Sequence, residues 1–144
     1  MTLMTNKGVR QLLRLQLAAI LIFLVFKLSR RQLIGLASSD SVEVFLWSFP
    51  NLVEGIVGIL TVTALLLVIS QHFPALQKWL PPQGVYVLSG AISSAYVLMQ
   101  ELNGFRFIGG ENTADMNDVY FSIIGLCIGA GLIWLTKPHR YGQA

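Results

Sequence analysis

The groups in this chain whose types and spacing could do chemistry are the carboxylates of Glu54, Glu101, Asp115 and Asp118, the amides of Asn51 and Gln100, the Ser122 hydroxyl and the Arg106 guanidinium. Several acids in one confined place repel one another, so they bind a proton, pair with a base such as Arg106, or hold a cation. Amides and a hydroxyl would orient a ligand by accepting and donating hydrogen bonds. An oxygen-rich set of this kind suits magnesium or calcium better than zinc. A divalent cation is compatible with it, but neither a resident metal nor a cofactor is expected. His72 and His139 fall in a connecting loop and a terminal tail, with no Cys or His at ligand spacing. No Ser/His/Asp arrangement, phosphate loop or HExxH motif appears, so the residues alone name no reaction.

Helical spacing groups these residues into faces. Asn51, Glu54, Gly58 and Thr61 follow one another at steps of three or four, which puts them on one side of a helix. Gly90, Ser93, Ser94, Gln100 and Glu101 form a second, broader stripe. Asp115, Asp118, Ser122, Gly125 and Gly129 form a third, provided that helix reaches back to about residue 115. Gly125 and Gly129 make a GxxxG pair, and Gly58 and Gly90 are further small positions where neighbouring helices could pack.

The elements that carry these faces belong in a membrane. Hydrophobic residues make up 54% of the chain and charged residues 12%, against about 25% charged in an ordinary soluble domain. Mean hydropathy is +0.65. The charges sit between long apolar runs near residues 12–28, 51–69, 84–102 and 119–136. Each run of roughly 17 to 19 residues, rising about 1.5 Å per residue, can cross a hydrocarbon core of about 30 Å. The expected fold is therefore all-α, a polytopic transmembrane bundle of about four helices, with residues 1–144 as a single membrane domain.

Lys7, Arg10 and Arg14 precede the first apolar run as in a signal peptide, but Arg30 and Arg31 stand where a small-residue cleavage site would fall. An uncleaved signal-anchor helix is expected. Pro50 is read as the start of the second span and Pro138 as a stop after the fourth. Residues 29–50 are read as a connection with Trp47 and Phe49 at the membrane interface. Cys127, the single cysteine, is read as a small buried hydrophobe, and no intrachain disulfide can form.

Four spans place both termini on one side, with Lys7, Arg10, Arg14, Lys78, Lys137 and Arg140, against Lys27, Arg30, Arg31 and Arg106 on the other. That bias makes the termini cytoplasmic. The second span then starts, the third ends and the fourth starts on the outer side, so Asn51, Glu54, Gln100, Glu101, Asp115 and Asp118 are expected to converge at one depth. An ionisable group such as Glu54 within a span is a functional candidate by default. The net charge of +3 is too small and too dispersed to expect nucleic-acid binding.

At these positions the chain resembles the VanZ-like family of small membrane proteins, named for a teicoplanin-resistance protein. "NLVEG", residues 51–55, is similar to a family segment of the type HFIEY, with Glu54 on its glutamate. Gln100 matches the glutamine of a later E..Q pair, and "DMNDVYFSIIGLCIG", residues 115–129, is similar to a D..D...N..G...G helix. The resemblance spans about residues 48–134. It departs at Asn51, where histidine is common, at Val97 in place of a glutamate, and at Ser122 in place of an asparagine; Arg106 also lies further from Asp115 than the family arginine does. The resemblance implies a protein of the bacterial inner membrane and cell envelope, with a link to glycopeptide resistance but no settled activity.

These readings lead to an outward-facing acidic and polar pocket that binds a lipid or lipid-linked headgroup. Four acids would repel a bare phosphate, so a sugar-amine or cation-bridged ligand is the more coherent picture. Two alternatives stand beside it: a non-catalytic small subunit or assembly factor of a larger membrane complex, and an enzyme that modifies a lipid headgroup. The expected partners are membrane lipids and membrane-protein subunits.

Overall fold

The computed structural model describes residues 7–36, 39–73, 75, 79–102 and 116–136. Within them the chain forms an all-α bundle of α1 (Lys7–Gly35), α2 (Asp40–His72), α3 (Pro82–Leu102) and α4 (Met116–Thr136). Three of these, α1, α2 and α4, are long and apolar enough to cross a membrane. At 21 residues α3 has the length, but Gln83, Ser89, Ser93, Ser94 and Gln100 dilute its apolar character and it falls outside that set. The expected bundle of about four helices is present, with three of them apolar enough to span and α3 the more polar one. Its inward stripe is Val85, Ser89, Ser93 and Val97, at successive steps of four and all buried.

The connection expected over residues 29–50 is mostly helix. The 29 residues of α1 continue to Gly35, well past residue 28, and the 33 of α2 begin at Asp40 and run through Pro50. Asp40 and Glu43 place negative charge in the first turn of α2, which favours a helix start there. Pro50 is therefore an interior proline. In membrane helices such a ring is tolerated where neighbouring helices, hydroxyls or water take up the carbonyl it frees. At about 1.5 Å per residue, α1 and α2 reach roughly 43 and 50 Å, so both outrun a hydrocarbon core of about 30 Å.

Side-chain pairings set the directions. Gln16 donates to Thr61 at 2.9 Å, Phe26 stacks on Phe49 at 4.2 Å between ring centroids, and the Arg30 guanidinium lies 3.9 Å from the Trp47 ring. Numbers rise on α1 as they fall on α2, so these two helices are antiparallel. Gln100 on α3 meets Glu54, while Ile92 shares a cleft with Val62, so α3 is also antiparallel to α2. Gly55 lies against Ser122 and Leu126, and Gly129 against Ile56 and Ile59, so α2 and α4 run parallel.

The central element is α2. Of its apolar window 39% is buried, against 6% for α1. Leu12 of α1, Leu60 and Leu67 of α2, Val85 of α3 and Ile133 of α4 share one core cluster. Leu17, Leu21, Val25, Leu28, Leu65, Ile128 and Leu135 face outward. Such a belt is foreign to a soluble monomer. In lipid it is ordinary solvent contact, because acyl chains are as apolar as leucine.

Candidate functional site

The contact at the centre of the candidate site joins Glu54 of α2 to Gln100 of α3. The Gln100 Nε2 donates to Glu54 Oε1 at 3.3 Å, a long bond between residues 46 positions apart. An ionised carboxylate has about four lone-pair sites, and among the described residues Glu54 uses one of them, with Gln100. Among the described residues it has no basic partner. Glu54 also stands at the junction of two cavities. One is a cleft of about 150 Å³ among α2, α3 and α4, lined by Gly58, Ser93, Tyr96 and Leu126 among others. The other is a groove of about 440 Å³ between α1 and α2, lined by Ile20, Phe23, Leu24, Pro50, Val53, Glu54 and Val57.

The remaining candidates do not all gather there. Ser122 is buried, and its hydroxyl donates over 3.5 Å to the backbone carbonyl of Asn51, so that contact is made through the Asn51 main chain and not its amide. Glu54 lies three residues further along α2, and Asp118 lies four residues back along α4 from Ser122. With the two helices parallel, the axial offset between Asp118 and Glu54 is about 10 Å at about 1.5 Å per residue. This corrects the expectation of one common depth. Asp118 sits half-buried in the first turn of α4, where a negative charge stabilises the helix start. Arg106 and Asp115 lie outside the described residues, as does His139; Glu101 is within α3, but its side chain is not described. Among the described residues no three His, Cys, Asp or Glu side chains are grouped to hold a metal ion.

Two lesser expectations are also corrected. His72 is the last residue of α2 and not a loop residue, and its Nδ1 donates to the Val68 carbonyl at 2.9 Å. Cys127 is exposed on the outer face of α4, because the inward face of that helix is taken by Ser122, Leu126 and Gly129.

The glycines divide cleanly. A Cβ at Gly125 would collide with the Leu52 carbonyl oxygen, and one at Gly129 with the Ile59 side chain. The GxxxG pair is thus used within the chain, at the α2–α4 seam. Its third member is Gly55, whose Cβ would stand 2.5 Å from the Ser122 carbonyl oxygen; sequence reasoning passed over it, although it shares a helical face with Leu52 and Ile59. Gly58 and Gly90 are corrected in the other direction, since a Cβ at either would meet nothing within 4 Å. Gly58 borders the cleft.

Three of the buried hydroxyls are occupied by their own helix. Thr63 donates to the Ile59 carbonyl at 2.7 Å, Ser70 to Leu67 at 2.9 Å and Ser89 to Val85 at 2.7 Å. Ser93, only 3% exposed, is different: its Oγ has no hydrogen-bond partner, and the residue lines the cleft beside Tyr96. Ser93, Tyr96 and Gln100 stand at steps of three and four, so Tyr96, absent from the expected site, carried a readable signal. Comparison with protein-family models, with curated proteins and with solved structures finds no match for the chain.

Proposed function

We propose that this is a VanZ-like protein of the bacterial inner membrane, with both termini cytoplasmic, that binds the headgroup of an envelope lipid or lipid-linked precursor at Glu54 and Gln100. The observation that supports this most directly is the Glu54 carboxylate at the meeting point of two cavities, held by an amide from another helix and without a basic partner among the described residues. A carboxylate within a span is costly unless it meets a partner or a water-filled site. Glu54 is the fifteenth of the 33 residues of α2, close to the middle of that helix, and meets the C-terminal end of α3 through Gln100.

The subunit reading loses one of its supports, because Gly125 and Gly129 are spent on α2 and offer no close-packing surface to a partner. The enzymatic reading needs two acids within reach of one bond, and the roughly 10 Å offset between Asp118 and Glu54 disfavours that pair. The test is to replace Glu54→Gln and Asp118→Asn separately and measure retention of labelled envelope lipids by the purified protein. Glu54→Gln is expected to reduce retention several-fold and Asp118→Asn to leave it nearly unchanged. Equal retention by all three proteins would remove Glu54 from the site.

A further inference from the structure

We infer that the lipid carries a protonated primary amine, seated on the Glu54 carboxylate, and that its hydrocarbon chain lies in the groove between α1 and α2. This deepens the proposed function and rests on it. Among the described residues Glu54 is the one ionisable group lining the groove; its neighbours there are Ile20, Phe23, Leu24, Pro50, Val53 and Val57. A groove with an apolar wall and a single acceptor complements a molecule with an apolar chain and a single charged donor.

Charge decides the class of headgroup. Among the described residues the Glu54 carboxylate, exposed at the groove, accepts one 3.3 Å bond from Gln100 and faces no base, which leaves it open to a cation. Lys27 of α1 lies over the Phe23 ring at the side of the groove, its Nζ 5.9 Å from the centroid, and makes no ion pair with Glu54 among the described residues. An ammonium has three donors and no acceptor, which matches the lone pairs Glu54 leaves open. A phosphate alone would be repelled by the same group.

Size agrees with a chain. The groove, about 440 Å³ and open along one side, has room for a length of acyl chain. The helix α1, which buries little of itself, thereby acquires a role beyond anchoring: Ile20, Phe23 and Leu24 supply one wall.

The experiment compares three lipids with identical chains in binding to the full chain in nanodiscs, read by native mass spectrometry: phosphatidylethanolamine, its N-acetyl derivative, and phosphatidylglycerol. The wild type is expected to hold phosphatidylethanolamine at least tenfold more tightly than the other two. Glu54→Gln should abolish that preference, and Val57→Trp, which fills the groove, should weaken all three lipids while the far-UV circular dichroism of both variants stays unchanged. Equal binding of the three lipids would overturn the amine assignment and leave the lipid-binding reading standing. Full displacement by free ethanolamine would assign the site to a soluble amine and overturn the chain groove. Absence of any lipid held beyond the bulk composition would overturn both readings.

Discussion

At the residue scale the sharpest contrast is between glycines that look alike in sequence. Gly125→Ala drives a methyl group into the Leu52 carbonyl and is expected to cost about 1–3 kcal/mol, the range for overpacking. Gly58→Ala points into open space and should be neutral or gain up to about 1 kcal/mol in helix propensity. Thermal unfolding in one detergent separates them; equal effects would mean the α2–α4 seam is not where the backbones approach. Ser93→Ala removes a buried hydroxyl that has no partner, and should raise stability by about 1 kcal/mol. A fall in its unfolding temperature would show that the hydroxyl is bonded. The GxxxG pair was legible from spacing because close approach leaves small residues one turn apart. Gly58 and Gly90 were misread because period identifies a face but not what stands opposite it.

At the scale of elements, the apolar runs located the helices but not their ends. Hydrophobicity stops where the hydrocarbon stops, whereas hydrogen bonding continues the helix, so α1 and α2 extend beyond the apolar stretches that marked them. Pro50 was read as a start because a proline there loses no intrahelical bond. The same ring inside α2 deprives the Leu46 carbonyl of its donor, and sequence does not distinguish the two cases. Pro50→Ala restores that donor and is expected to raise the unfolding temperature; a lower value would show that the ring's packing against α1 outweighs the missing bond. The amphipathic character of α3 was visible in its serine spacing. What could not be read was that Ser89 bonds to its own helix while Ser93, one turn on, does not. That difference depends on the rotamer and the neighbours, and composition encodes neither.

At the scale of the whole molecule, the meeting of Glu54 with Gln100 was expected from pairing the start of the second apolar run with the end of the third; the two do meet, although α2 begins at Asp40 and Glu54 lies near its middle. The depth of Asp118 did not follow, because it depends on the stagger between two parallel helices. Orientation has its own test. In a Cys127→Ser background, a cysteine placed at Ser39, between α1 and α2, should react with a membrane-impermeant maleimide added to intact cells. Labelling only after lysis would reverse the proposed topology.

The central claim is that Glu54 holds a lipid between α1 and α2, and photocrosslinking tests it most directly. An amine-headed lipid bearing a diazirine on its chain, incorporated with the purified protein and mapped by peptide mass spectrometry, should label residues 20–24 and 50–57. Glu54→Gln should remove that labelling. Label spread evenly over the outward belt, at Leu17, Leu65 and Leu135 as much as in the groove and indifferent to Glu54→Gln, would contradict the claim.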